Sequence, residues 1–398
     1  MATPRTLVHD HEGKSQPLPA AGGAGVPGGV DTNVQYNDAG AFGGDAGLCF
    51  FEVLNSVTIG AGCTATGNRA LSQGNTNAVA GDNSRASGNG NIVGGDNSEA
   101  SGDTNNVAGD NSVAEGSGNA VAGNQAHAEG TGNGATVNNA HVEGNGNTAA
   151  GLQSHVEGAF NVGNALDCHV EGRGNAVPVG AIASHVEGGF NIVGAAATDS
   201  HVEGNSNDCG AARGHAEGTG NIISPGANQA HVEGEDNTGN AENCHVEGKE
   251  ALATRVCQYS KASGKFLVAG DAQMAAFTLK VSTAGAAPTV MSNDGATLLL
   301  EANKSYRYRG MVIARTAVGD TKEWEIRGVC KVAAGVVSNL AAPSVLNTWG
   351  DAGLALAVIG VGVSGAALPA SLNVTVTGIA ITNIRWFAYL EWVELLYV

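Results

Sequence analysis

Residues 127–140 read His-Ala-Glu-Gly-Thr-Gly-Asn-Gly-Ala-Thr-Val-Asn-Asn-Ala, and residues 141–154 read His-Val-Glu-Gly-Asn-Gly-Asn-Thr-Ala-Ala-Gly-Leu-Gln-Ser. The His-Ala/Val-Glu-Gly motif recurs along the chain, and successive histidines lie 14 or 16 residues apart. The nine histidines of the motif are His127, His141, His155, His169, His185, His201, His215, His231 and His245. A fixed short period of this kind indicates a solenoid, in which each repeat forms one coil stacked on its neighbours.

The repeat continues upstream in a weaker form, with Ala-Ser-Gly at residues 86–88 and again at residues 100–102. An asparagine follows three residues after nearly every repeat glycine, as Asn133 follows Gly130. Fourteen residues fit two short strands and two tight turns, and we expect Gly and Asn at turn positions with positive φ. Val142 of the motif and Ala149 after the asparagine belong to two rows of small apolar residues, which are expected to meet inside a flat coil.

The histidine and glutamate of each motif are two residues apart, so they lie on one strand face, opposite the buried valine. Stacking turns them into a histidine file beside a glutamate file, which includes Glu129, Glu143, Glu157, Glu171, Glu187 and Glu203. Three interpretations stay open: the files face solvent or a wet groove, they form a polar interface between chains, or the histidines bind metal. No closed ligand set can be read from the spacing, so we predict no metal site. If one exists, its candidates are His127, His141, His155 and His169.

Charge is concentrated in the repeats of this 398-residue chain, whose net charge is −18. Residues 60–250 hold 22 acidic against five basic residues, whereas residues 251–398 hold nine against 12. An acidic surface repels phosphate, so no nucleic-acid partner is expected. No apolar run reaches about 18 residues, so no membrane insertion is expected either. The seven cysteines include no Cys-x-x-Cys pair, which favours reduced thiols.

Composition divides the chain into four parts. Residues 1–59 are predicted to be a flexible attachment arm, 60–250 a β-roll shaft, 251–261 a connector and 262–398 an antiparallel β-sandwich tip. Aromatic residues of the tip, namely Tyr306, Tyr308, Trp349 and Trp386, are candidates for receptor contact. The competing interpretation, which we favour for the tryptophans, is that they are core or intersubunit contacts. In the arm, Tyr36 and Phe42 are candidates for attachment.

The repeat resembles two groups of proteins: the β-roll heads of trimeric autotransporter adhesins, and bacteriophage tail fibres with Ser-His-Ala-Glu-Gly repeats. Residues 33–45 are similar to a segment near the N-terminus of phage fibre proteins, and residues 324–328 and 384–386 look like parts of a fibre's terminal domain. The sequence shows neither a secretory signal nor the heptad repeats that precede an autotransporter anchor. The phage resemblance is therefore preferred.

The resemblance implies an intertwined homotrimer in a virion, made in the host cytoplasm. It implies an arm bound to other virion proteins and a tip bound to a host-surface glycan or protein. Alternatives are a structural connector or capsid decoration, and a polysaccharide depolymerase tail spike. Sugar hydrolysis needs two carboxylates in distinct environments, whereas the repeat glutamates form regular files, and no nucleophile-elbow or zinc-protease motif occurs. We therefore expect a protein that is not an enzyme and has no cofactor.

Overall fold

The computed structural model describes residues 7–9, 15–17, 33–38, 41–51, 54–365 and 368–396, with side chains described from Leu48 onward. These residues form β-strands and one short 3-10 helix (Ala352–Leu354), and among them there is no α-helix. The chain divides into two compact units, residues 1–118 and 119–398. The prediction of an all-β protein, with a β-solenoid followed by antiparallel sheet, is confirmed.

The first unit contains 13 described strands. They are β1 Leu7–His9, β2 Ser15–Pro17, β3 Asn33–Asp38, β4 Ala41–Phe51, β5 Ser56–Ile59, β6 Thr64–Ala65, β7 Leu71–Asn75, β8 Ala78–Val79, β9 Arg85–Asn89, β10 Ile92–Val93, β11 Glu99–Asp103, β12 Asn106–Val107 and β13 Val113–Ser117. Strands β3, β4 and β5 pair antiparallel, and β5 then pairs parallel with β7 to begin the coils. The coils therefore begin at Ser56, inside the range predicted to be the arm.

The second unit continues the same alternation of five-residue and two-residue strands up to β33. They are β14 Ala120–Val121, β15 His127–Thr131, β16 Gly134–Ala135, β17 His141–Asn145, β18 Thr148–Ala149, β19 His155–Ala159, β20 Val162–Gly163, β21 His169–Arg173, β22 Ala176–Val177, β23 His185–Gly189, β24 Ile192–Val193, β25 His201–Asn205, β26 Asp208–Cys209, β27 His215–Thr219, β28 Ile222–Ile223, β29 His231–Glu235, β30 Thr238–Gly239, β31 His245–Lys249, β32 Leu252–Ala253 and β33 Tyr259–Ser263.

Ten longer or more separated strands follow. They are β34 Ala272–Thr283, β35 Pro288–Val290, β36 Leu298–Leu300, β37 Lys304–Thr316, β38 Thr321–Ala333, β39 Val336–Asn339, β40 Ser344–Gly350, β41 Val358–Ser364, β42 Ala370–Thr377 and β43 Ile384–Leu396.

From β7 to β32 the coils alternate five-residue and two-residue strands, and each strand pairs parallel with its equivalent in the next coil of its unit. The first long strand, β5, has four residues, and the last, β33, is followed directly by β34. His141 is opposite His155, and Thr148 is opposite Val162. In a 16-residue coil, the two extra residues fall outside the paired strands, so His169 still lies opposite His185. The predicted connector, residues 251–261, contains β32 and the first residues of β33, and β33 pairs parallel with β31 as the last coil.

The interior of a coil is only two side chains thick. Val142 from the long strand and Ala149 from the short strand are both fully buried, as the alternation predicts. The same alternation holds in the other coils, where the second residue of the long strand and the last residue of the short strand are buried. An interior this thin has no room for an aromatic ring, which explains why the repeats are built from Ala, Val and Ser.

Three cysteines fill gaps that glycines leave in this interior. Gly163 and Gly239 occupy the inward position of their short strands, and a Cβ there would lie 3.1 and 3.0 Å from the sulfurs of Cys168 and Cys244. At the third place the cysteine and the glycine exchange positions. Cys209 is the inward residue of its short strand, and its sulfur would lie 2.6 Å from a Cβ on Gly214. Cys168, Cys209 and Cys244 are free thiols. Their role in the coils is therefore to keep the core volume constant.

The repeat asparagines are buried, and they are not the positive-φ residues of the turn. That conformation belongs to the preceding residue, such as Gly146 with φ of 67° or Phe160 with φ of 58°. Asn147 Nδ2 donates to the carbonyl oxygens of Glu143 at 2.6 Å and Gly158 at 2.7 Å. Its Oδ1 accepts the backbone N–H of Asn161 at 2.8 Å. Each buried amide is therefore hydrogen-bonded within its own coil and to the next coil.

The motif glycine is required for coils to approach closely. Gly144 has φ of 107°, where L side chains are strained, and a Cβ would lie 2.0 Å from the Gly158 carbonyl oxygen. Because the neighbouring coil provides that oxygen, any side chain here would push two coils apart. This contact explains the glycine in His-x-Glu-Gly.

The last coil is joined to the C-terminal sheets by strand pairing and buried polar contacts. Strand β33 pairs antiparallel with β34. Gln273 donates to the Leu252 carbonyl oxygen at 2.7 Å and accepts the Leu252 N–H at 2.8 Å. Arg255 donates to the Leu299 carbonyl oxygen at 2.7 Å and pairs with Glu301 at 2.9 Å. These contacts fix the C-terminal sheets on the end of the coils.

Two antiparallel sheets enclose the C-terminal core. The larger has neighbouring strands β34, β43, β37, β38 and β40, and in the smaller β42 pairs with β35, β36 and β41. Phe277, Trp324 and Trp392 of the larger sheet belong to one buried cluster with Leu298 and Val374 of the smaller sheet. This arrangement agrees with the predicted sandwich.

Replacing Asn147 with alanine should destabilise the coils by about 1–3 kcal/mol, because the Asn161 N–H and the Gly158 carbonyl oxygen lose their buried partner. Asn145→Ala is the matched control, since Asn145 is exposed on the same coil. Thermal and urea unfolding of both variants would measure the difference. Equal stability of the two variants would contradict a structural role for the buried asparagine row.

Candidate functional site

The motif histidines form a file of closely spaced rings on one face of the coils, of which some neighbouring pairs are stacked and others tilted. Neighbouring ring centroids from His127 to His245 are 4.5–5.0 Å apart. In each long strand the histidine is partly buried, the next residue is buried and the glutamate is exposed or partly buried. The predicted files, which include Glu129, Glu143, Glu157, Glu171, Glu187 and Glu203, therefore exist.

Histidine and glutamate side chains of the two files lie close but rarely make a hydrogen bond. His231 Nε2 is 3.7 Å from Glu233 Oε2, and His245 Nε2 is 3.6 Å from Glu233 Oε1. Burial lowers the pKa of His155 and His185, and repulsion by the neighbouring histidines lowers it further. The adjacent glutamates act in the opposite direction. His155 and His185 are therefore easier to keep neutral than an isolated imidazole.

The last coil ends both files with different residues. Tyr259 stands at the histidine position and packs edge-on against His245 at 5.4 Å. Lys261 stands at the glutamate position, and its amine pairs with Glu247, which also accepts a hydrogen bond from Tyr259 at 2.5 Å. Desolvation and the Glu247 hydrogen bond raise the pKa of Tyr259 to about 12. A cation of the chain itself thus neutralises the end of the glutamate file.

Two groups of possible metal ligands occur near this end, among the described residues of the second unit. His215, Glu217 and His231 form one, and Glu233, His245 and Glu247 form the other, with all ligand atoms of a group within 4.8 Å of one another. The sequence candidates His141, His155 and His169 belong to neither group. Spacing alone could not reveal this, because side-chain rotamers differ from coil to coil.

A groove on the outer face of the larger C-terminal sheet combines cationic and apolar side chains. In register across β34, β43 and β37, Lys280, Phe387 and Ile313 form one row, and Ser282, Arg385 and Arg315 form the next. The depression they line has a volume of about 1250 Å³. It lies toward the end of β34 that is farther from the coils.

The three cations of the groove are available to a ligand. Lys280, Arg315 and Arg385 are exposed, and none forms an ion pair with another residue whose side chain is described. Asp294 is the single acidic residue among the described lining residues. Phe387 is 48% exposed beside the cations. The groove therefore offers positive charge next to an apolar ring in a chain that is acidic as a whole.

Three of the four aromatic candidates for receptor contact are in the core, so the receptor role is wrong for them, and for Trp386 the core interpretation favoured from the sequence holds. Tyr306, Tyr308 and Trp386 are at most 1% exposed. The alternation of β37 and β43 places them inward, and Trp386 Nε1 donates to Thr283 Oγ1 at 2.9 Å. Trp349 is 57% exposed, and its receptor contact stays a prediction.

Sequence reasoning missed Phe387 and Arg385, although the sequence held a signal. In residues 384–393 both alternating sets contain aromatic residues, so hydrophobicity alone does not decide which set faces inward. The charged Arg385 and Glu391 belong to the outward set, and this fixes Phe387 and Tyr389 outward as well. In the arm, Tyr36 and Phe42 lie in β3 and β4, but their side chains are outside the described residues.

Comparisons with known proteins give structural neighbours alone. No family model and no curated protein matches the chain. A tailspike of Acinetobacter baumannii bacteriophage Fri1, described as a capsular polysaccharide depolymerase, matches 82% of this chain with 7% identity and a TM-score of 0.25. The match spans 66% of that tailspike. The tailspike of Acinetobacter phage vB_ApiP_P1 matches 83% of this chain and 82% of its own, with 10% identity and a TM-score of 0.17.

The expectation that the protein is not an enzyme is corrected here. The Fri1 tailspike is described as an enzyme that depolymerises capsular polysaccharide. The regular glutamate file, on which the expectation was based, does not exclude catalysis elsewhere on the chain.

Among the described residues, no helix is long and apolar enough to cross a bilayer.

Acidification should destabilise the coils through His155 and His185. Their pKa is lowered from 6.5 in the folded protein, so below about pH 6.5 the unfolded chain binds more protons than the folded chain. Their stabilising contribution is therefore complete above that pH and is lost as the pH falls. Urea midpoints at pH 7.5 and 5.5, measured with EDTA present, should differ less in His155→Gln/His185→Gln than in the wild type. An unchanged pH dependence in the double variant would contradict this explanation.

Proposed function

We propose that the chain is a spike or fibre protein of a phage virion, and that its C-terminal groove binds an anionic polysaccharide on the host surface. The observation that carries the binding proposal is the group of three cations, Lys280, Arg385 and Arg315, that lies in two adjacent rows beside Phe387. The virion assignment is supported by the resemblance of the repeats and of residues 33–45 to phage fibres. In this proposal the arm, with Tyr36 and Phe42, binds other virion proteins.

The chemistry of the groove fits an acidic sugar chain. Arginine binds carboxylate or phosphate through two parallel hydrogen bonds, and lysine adds a point charge. The exposed ring of Phe387 and the side chain of Ile313 offer an apolar surface for the C–H face of a sugar ring. The coils carry a net negative charge, so they repel an anionic polymer. The C-terminal sheets are therefore the part of the chain where such a polymer can bind.

Polysaccharide cleavage is the second candidate function, and it would act on the same class of polymer. Asp294 lies in the groove and provides one carboxylate near the bound chain. A glycosidase needs a second carboxyl group across the scissile bond, about 5–10 Å away. Binding and cleavage therefore have to be measured separately.

The groove predicts charge-dependent binding of the full chain to a polyuronate and weak binding to dextran, which is neutral. Lys280→Ala/Arg385→Ala should weaken polyuronate binding by about tenfold or more, because two charge-assisted contacts are lost. Arg307→Ala/Lys331→Ala removes the same charge from exposed positions outside the groove and is the matched control. Biolayer interferometry at two salt concentrations would measure the affinities.

Equal losses in the two double variants would show that binding is a general charge effect and would contradict the groove. The same samples, analysed for newly formed reducing ends and unsaturated sugars, report cleavage. If the wild type releases oligosaccharides and Asp294→Asn does not, the depolymerase function is supported. Release of oligosaccharides that is unaffected by Asp294→Asn would place the catalytic residues outside the groove.

The proposal includes association of three copies, which the resemblance implies. An interior two side chains thick buries little apolar area per residue, so a single chain gains little from its coils alone. The outer face of the larger sheet also leaves Met311 and Val393 more than half exposed. Light scattering at micromolar concentration should give three times the 39.6 kDa of one chain. A monomer mass would contradict the trimer without affecting the groove.

A further inference from the structure

We propose that His215, Glu217 and His231 bind a divalent transition metal of the zinc class. The proposal concerns the coils and does not depend on the groove or on its ligand. It rests on side-chain geometry at one place in the histidine file, and it commits to one site.

The two imidazoles are the closest pair of the file, and because their planes are parallel, one ring must rotate before both Nε2 atoms can point at one ion. The rings of His215 and His231 are 4.5 Å apart with an angle of 4° between their planes. The Nε2 atoms of both residues are buried and have no hydrogen-bond partner among the residues that the structure describes. A buried nitrogen atom without a partner costs free energy, and one metal ion would be a partner for both Nε2 atoms.

Carboxylates complete the ligand set on the same face. One ligand atom each of His215, Glu217 and His231 lies within 4.8 Å of the other two. Glu233 Oε2 is 3.7 Å from His231 Nε2 and offers a fourth ligand. Two imidazoles and carboxylate oxygen are a common zinc ligand set, with a water or a further carboxylate in the fourth position.

Binding requires modest side-chain rotation and leaves the coil backbone in place. Zinc bonds of about 2.0–2.1 Å in tetrahedral geometry hold ligand atoms about 3.3 Å apart. The ligand atoms of this group lie within 4.8 Å of one another, so the widest separation must shrink by at most about 1.5 Å. His231 and Glu233 are each more than one-third exposed at the side chain, so both can rotate. The paired strands β27 and β29 keep the Cα positions in register.

The equivalent group at the end of the file is less suited to an ion. Glu233, His245 and Glu247 are also close, but Glu247 already pairs with Lys261 and accepts a hydrogen bond from Tyr259. The lysine amine provides the positive charge there. The coil before it has no such cation, and this places the metal at His215 and His231.

Calorimetric titration of the full chain, without an affinity tag, would test the site. Zn²⁺ should bind with a stoichiometry near one at this site, and Ca²⁺, which prefers oxygen ligands, should not displace it. His215→Gln/His231→Gln should weaken binding by at least about tenfold. His141→Gln/His169→Gln removes two imidazoles from the same file and should leave the affinity unchanged. Unfolding curves of both variants would verify that each is folded.

Co²⁺ used as a spectroscopic substitute identifies the ligands. The expected spectrum shows nitrogen and oxygen coordination, with no thiolate charge-transfer band. A thiolate band would assign binding to a cysteine such as the partly exposed Cys257 and would overturn the proposal. Equal losses of Zn²⁺ affinity in the two double variants would also overturn it, because binding would then be spread along the file.

Discussion

Close stacking of coils is the constraint on which the structure depends, and the buried asparagine row is the interaction that maintains it. Each asparagine donates to carbonyl oxygens of its own and the next coil and accepts the N–H of the next asparagine, as between Asn133 and Asn147. The motif glycine permits this approach, since a Cβ on Gly144 would overlap the next coil. Because these contacts recur in successive coils, one sequence rule produces a regular array.

Regular stacking also brings like charges of neighbouring coils close together. Side chains at equivalent positions are forced to within about 5 Å of one another, so every repeated charge meets a like charge in the next coil. In the histidine file, burial lowers the pKa of His155 and His185, and repulsion by the neighbouring histidines lowers it further. The glutamate file ends at Lys261, where the chain provides a cation. Regular stacking thus explains why a cation stands at the glutamate position of the last coil.

Alternate residues along the strands of the C-terminal sheets face the core and the outer contact surface. Inward residues of β37, β38 and β43, such as Tyr306, Trp324 and Trp386, pack against the smaller sheet. The outward residues Lys280, Arg385 and Phe387 come from neighbouring strands and form the groove. A shift of one residue in strand register would exchange the two sets, so the groove depends on the same pairing that forms the core.

The solenoid, its coil length, the burial of the valine row and the common face of the histidines and glutamates could all be predicted from the sequence. Those features follow from periodicity, because identical repeats must place identical residues at equivalent positions. The folded chain was needed to show that Asn147 is buried, that Tyr306, Tyr308 and Trp386 are in the core, and that Lys280, Arg315 and Arg385 meet in one groove. These facts depend on pairing between strands far apart in sequence and on individual side-chain rotamers. A local pattern does not encode either of them.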